Sequence, residues 1–230
     1  MEIDDIIAQI EGDSLWRQDE IRFYQNTLIS VPDDADKKKF RRVLVVMLYA
    51  HFEGYTKFAF KVYVDALNAN SIKCKDALPC LVASTMDDVI SSLSNQSKKS
   101  DFFRNTAPDD TKLHTLSRQS EFIERLTEVG ESTISIPHSV VNTESNLKPV
   151  VLQKILFRLG FNIDALHGIE GKITRLLISR NDIVHGEDRD GLDDSEYTSI
   201  RDMVFDMMQK IQMFISQALI HRKYLKPAAS

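Results

Sequence analysis

The sequence predicts an all-α fold. Apolar residues recur at helical spacing along most of the chain. Turn formers are scarce, with 8 Gly and 6 Pro in 230 residues. Capping signals fall at the ends of the apolar stripes. A chain of this length can bury a sizeable core, and residues 1–230 are read as one domain with a less regular insertion at about residues 94–141.

Residues 2–30 read as the first helix. Ile3, Ile6, Ile7 and Ile10 form its stripe, Leu15, Ile21, Tyr24 and Leu28 continue it, and a loosening is expected at Gly12, Asp13 and Ser14. Pro32 ends it, and Asp33, Asp34 and Asp36 stand where acidic residues favour a helix start. The longest helix is expected over residues 36–70. Its middle, VLVVMLYAHFEGYTKFAFKVYV, is apolar nearly all round, as befits a central helix covered by neighbours. Glu53 and Lys57 stand four apart and can simply pair, and His51 can be a satisfied core histidine. The basic group from Lys37 to Arg42 reads as a solvated helix entrance or as a phosphate patch.

Residues 81–93 suit a short helix, and residues 94–115, rich in Ser, Lys, Asp and Asn, an exposed connection. Residues 120–128 suit another helix. Residues 131–141, ESTISIPHSVV, alternate apolar and polar, which predicts a short strand or β-hairpin. Ser145 is the expected N-cap of a helix with Pro149 in its first turn, Leu147, Val150, Val151, Ile155 and Leu156 inward, and Gly160 at its end. A loop over residues 187–192 then leads to a capping-box pattern, Asp193 with Glu196. That pattern opens the last helix, expected over residues 194–224 with Met203, Met207, Phe214 and Leu219 in the core.

The totals limit function. A formal net charge of −5 argues against a broad nucleic-acid footprint and leaves room for a small phosphate site. Cys74 and Cys80 are the only cysteines, without a second pair for a zinc site or a secretory context for a disulfide, so both are expected reduced. The start, MEIDDIIAQ, lacks the features of a signal peptide, and the longest apolar run, over residues 43–50, is far too short to span a bilayer. A cytoplasmic protein without membrane contact is expected. Glycine-rich phosphate-binding patterns and HExxH are missing from the sequence.

The informative stretch is residues 173–186, ITRLLISRNDIVHG. At helical spacing the seam falls on Ile173, Leu176, Leu177, Arg180 and Val184, so an arginine stands where an aliphatic residue belongs. A guanidinium cannot shed its proton to escape a low-dielectric site, so it must pair with an anion or open onto a wet crevice. Asn181 and His185 lie one turn apart on one flank, whereas Arg180 and His185 are separated by roughly 140°, too far for one straight helix to aim both at one atom. Gly186 is a natural stop, placing His185 in the last turn, where the negative end of the helix dipole favours imidazolium. Such a histidine exchanges protons near neutral pH.

These residues resemble the R-N-x-x-x-H signature of the HEPN superfamily. LYAHFEGYTKFAFKVYV is similar to the Y-A-x-x-E-G-x-x-K helix of its prokaryotic MAE-type branch, and SNLKPVVLQKIL resembles that branch too. The likeness omits residues 94–141. It implies an up-and-down helical bundle that pairs two-fold, bringing Arg180 and His185 of both subunits to one cleft. HEPN nucleases cut RNA without a metal or other cofactor, using the ribose 2′-hydroxyl as nucleophile. The resemblance therefore implies Arg180, Asn181 and His185 as catalytic residues, and Glu53, Lys57 and His51 as substrate-binding neighbours. It also implies a homodimer acting on RNA as a toxin or anti-phage effector, with a cognate antitoxin or defence-system protein as a further partner. Two other readings stay open: a HEPN module that binds RNA or nucleotide without cutting, and a helical scaffold in which Arg180 forms an internal ion pair with Asp182 or a distant acid.

Overall fold

In the computed structural model, which describes residues 2–105, 108–187 and 191–227, eight α-helices occupy the described residues. They are α1 (Ile3–Thr27), α2 (Asp34–Ala69), α3 (Pro79–Thr85), α4 (Asp87–Ser94), α5 (Thr111–Glu128), α6 (Pro149–Arg158), α7 (Glu170–His185) and α8 (Asp194–Ile220). α2 is the hub. Asp33 caps it by accepting hydrogen bonds from the N–H groups of Ala35 and Asp36. Its apolar middle is then covered by α1, α7 and α8, with Leu48, Phe52, Tyr55, Phe60 and Tyr63 wholly buried.

α1 runs without the expected loosening. Gly12 faces open space, the Arg17–Asp13 ion pair braces the next turn, and Ser14 rather than the exposed Leu15 turns inward and accepts a hydrogen bond from Gln18. α8 begins at the anticipated capping box and buries Met207 and Leu219, with Met203 and Phe214 at the core's margin. The span expected as one helix at 81–93 divides at Met86, whose buried side chain sits at the corner between α3 and α4. α6 begins at Pro149 after Lys148, and Ser145 instead occupies a left-handed turn. Leu147, Val151, Ile155 and Leu156 are buried as expected, while Val150 is exposed.

The expected β-hairpin at 131–141 is not formed. The alternation is real, since Ile134 and Ile136 are buried and Ser135 is exposed. Its backbone, however, is satisfied by a single antiparallel bridge between Lys73 and Thr133 and by the Asn68 carboxamide, which both donates to and accepts from Ile136. With those groups taken, no second strand is needed, and a short 3₁₀ turn follows at His138–Val140.

The insertion is also more ordered than its polar composition suggests. α5 starts nine residues before the expected position, capped by Asp110. Its buried face holds His114, which accepts from the Ser100 N–H, and Arg118, which donates to the Lys98 carbonyl. Residues 106–107 of this insertion, and 188–190 of the loop expected before α8, lie outside the described residues. Among the described residues no helix is long and apolar enough to cross a membrane.

Candidate active site on α7

α7 is one continuous helix that ends at Gly186. Gly186 takes φ +77°, and the Glu187 and Gly186 N–H groups donate back to the carbonyls of Asp182 and Ile183 at 2.8 and 3.2 Å. This paired closure ends the helix without stranding its last carbonyls and fixes His185 as the final helical residue. Arg42 of α2 reaches the Ile183 carbonyl at 3.4 Å, placing a cation against the negative end of α7.

Arg180 faces α2 with Ile173, Leu176 and Leu177, as its seam position requires. Its guanidinium carbon lies 5.3 Å from the centroid of the Tyr49 ring. Among the described residues its hydrogen-bond partner is Asn181, whose Oδ1 accepts from Nη1 at 2.9 Å. The side chain is thus held by an aromatic face and a neutral amide, not by the internal ion pair with Asp182 that a scaffold role would use. Asn181, implied by the resemblance as a catalytic residue, turns its carboxamide oxygen to Arg180. His185 is exposed on the opposite flank, so the two residues diverge as the helical angle required.

Tyr49 is the member of the site that sequence reasoning missed. Its hydroxyl donates to Asn146 Oδ1 at 2.7 Å and accepts from the Leu147 N–H at 2.8 Å. Burial, with the Glu53 charge adding to it, pushes its pKa up to about 12, so it stays a phenol in neutral solution. Glu53, one turn on from Tyr49, is partly buried on this flank of α2, and Lys57, a further turn along, is exposed. A tyrosine and a carboxylate four apart on the central helix were the available signal.

The structure separates His51 from this group. Its position on α2 is about 200° from Tyr49 and Glu53. Nε2 lies 3.1 Å from Glu20 of α1, and the Trp16 ring meets the imidazole edge-on at 5.9 Å. His51, expected among the substrate-binding residues, therefore lies at the α1–α2 contact, apart from Tyr49 and Glu53. The basic group at the start of α2 is likewise engaged. Lys37 pairs with Asp34, Lys39 with Asp36, Lys38 with Asp193 and Arg41 with Asp194, so the phosphate-patch reading gives way to helix bracing and loop docking. Among the described residues no cluster of His, Cys, Asp and Glu is placed to hold a metal ion, and Cys74 and Cys80 are both free thiols.

The profile of the RiboL-PSP-HEPN family matches residues 13–217, nearly the whole chain. The chain belongs to the HEPN superfamily. The matching HEPN branch is RiboL-PSP, where the segments quoted from the sequence pointed to the MAE type. The match also spans the insertion that the sequence likeness left out. No curated protein and no solved structure gives a significant match.

Proposed function

We propose that this HEPN protein is a metal-independent endoribonuclease, working as a toxin or anti-phage defence effector, with its active site shared between two copies of the chain. The observation that carries the reading is the split on α7: Arg180 is held on an apolar seam without a carboxylate partner among the described residues, while His185 stands exposed at the end of the same helix. One copy cannot aim both at one phosphate, whereas two α7 helices meeting at a dyad can. Ile178 shares the His185 face and is 54% exposed, while Val184, on the Arg180 side of the helix, is 52% exposed, so each flank offers an apolar residue to a second copy.

In this reading the ribose 2′-hydroxyl attacks the adjacent phosphorus and the 5′-oxygen of the next nucleotide leaves. One His185 takes the 2′-hydroxyl proton, and the other protonates the departing oxygen. The products are a 2′,3′-cyclic phosphate and a 5′-hydroxyl. Arg180 stabilises the charge that develops on the non-bridging oxygens, and Asn181 fixes its approach. Glu53 and Lys57 border the site from α2. In chelator, wild-type protein is expected to cleave RNA, and His185→Ala to be slower by about 10²–10⁴-fold. Equal cleavage by both proteins removes His185 from the mechanism.

A second reading, a HEPN module that binds RNA or nucleotide without cutting or forms the regulated half of a toxin–antitoxin pair, draws on the net charge of −5. Saturable RNA binding with no product after long incubation would favour it.

A further inference from the structure

We propose that Tyr49 is a positioning residue for Arg180, and that the loop before α6 exists in its unusual conformation to hold that tyrosine still. The inference rests on the ribonuclease reading for its consequence in rate, and on the geometry alone for the contact.

The loop is costly in backbone terms. Glu144 and Ser145 are consecutive non-glycine residues with φ of +53° and +57°, in the left-handed region that side chains disfavour. Local bonds maintain it. Asn142 Oδ1 accepts from the Glu144 N–H at 2.8 Å, the Thr143 carbonyl accepts from the Asn146 N–H at 3.0 Å, and Glu144 pairs with Lys154 of α6 at 2.8 Å. The result is that Asn146 Oδ1 and the Leu147 N–H converge on one atom, the Tyr49 hydroxyl. A phenol that both donates and accepts through fixed partners cannot slide or turn freely. Tyr49 is only 4% exposed, so the rest of its ring is set by packing.

Arg180 needs such a support. A guanidinium on a long, flexible side chain has rotamer freedom to lose, and among the described residues the one hydrogen bond, from Nη1 to Asn181, fixes its direction only in part. The Tyr49 ring supplies the missing constraint, a face against which the cation rests, while leaving other guanidinium N–H groups to donate to a phosphate. The chain of contact runs from the α6 loop through the phenol and ring to the guanidinium. It links the SNLKPVVLQKIL segment, otherwise without a role, to the chemistry on α7.

The test is a double-mutant cycle on RNA cleavage with Tyr49→Leu and Arg180→Ala, with Tyr49→Phe as the conservative control. Tyr49→Leu in the wild-type background is expected to lower kcat by about 30-fold or more with a much smaller change in KM. Tyr49→Phe, which keeps the ring, is expected to lose at most about tenfold. In Arg180→Ala protein the leucine substitution should add almost nothing, because the group it supports has gone. An equal loss in both backgrounds would show a merely structural tyrosine and overturn the proposal. The Arg180 Nε–H resonance gives a second readout that does not depend on activity. Ring current from Tyr49 should shift it in wild type and in Tyr49→Phe, and the shift should vanish in Tyr49→Leu. If wild-type protein leaves RNA intact, the nuclease reading fails, and an Arg180 resonance unmoved by Tyr49→Leu then overturns the platform as well. Should Tyr49→Leu not fold, Asn146→Ala, which removes one of the hydroxyl's two partners and touches neither ring nor arginine, should lower kcat about threefold or more; an unchanged kcat would count against the proposal.

Discussion

His51 sits between Glu20, Arg17, Asp13 and the Trp16 ring at the α1–α2 contact, and its Nδ1 is buried without a hydrogen-bond partner among the described residues. Burial lowers its pKa, and the Arg17 charge works in the same direction against Glu20 and Asp13. Because the folded value lies below the ordinary 6.5, the unfolded chain takes up the proton first as pH falls. Stability from a neutral His51 is therefore complete above that value and lost as pH drops through the depressed folded value. Denaturant titrations across about pH 5 to 8 should show a steeper acid-side fall for wild type than for His51→Gln. Identical profiles would place the acid sensitivity elsewhere. At this scale the sequence was informative where a residue violated its surroundings and silent where it obeyed them. Arg180 interrupts an aliphatic seam and His185 precedes a glycine stop, so both could be singled out. Tyr49 opens the Y-A-x-x-E-G-x-x-K match but is otherwise an ordinary aromatic on a buried helix, and it is the convergence of Asn146, Leu147 and Arg180 on it that suggests a role. His51 stands two residues from Tyr49 and from Glu53 in sequence yet on the opposite face of α2, a separation that helical geometry imposes on such neighbours.

Among the elements, α5 tests how an insertion with a polar inner face holds together. Its first turn depends on Asp110, whose side chain accepts from the Lys112 and Leu113 N–H groups, and its interior on His114 and Arg118 gripping residues 98–100. Asp110→Ala should cost about 1 kcal/mol, read as faster amide exchange in α5 and the 95–105 loop with α2 and α8 unaffected. Uniform loosening of the whole bundle would show instead that α5 is part of the central core. This organisation explains why the sequence under-read the element. Periodicity arguments look for apolar stripes, and α5 buries a histidine and an arginine against a loop's backbone. The 131–141 segment failed in the opposite sense: its apolar alternation was genuine, but a side-chain amide from α2 satisfied the backbone that a second strand would have paired. The long elements α1, α2 and α8 were legible because their buried faces are largely apolar over many turns.

At the scale of the whole molecule, α2 sets the geometry of the candidate site. It carries Tyr49 and Glu53 towards α7, docks the end of α7 through Arg42, and anchors the start of α8 through Lys38 and Arg41. The all-α class and the HEPN superfamily could both be read from the sequence, since the central-helix pattern and the R-N-x-x-x-H spacing are properties of single helices. How Arg180 is supported could not, because the supports come from residues about a hundred positions apart in the chain. The proposed site requires two copies of the chain to be complete. That requirement is tested most directly by measuring RNA cleavage in chelator over a protein dilution series while light scattering follows the mass. Activity per protomer should fall in step with the fraction of dimer; activity that stays constant in solutions where the mass is that of a single chain would contradict a shared site.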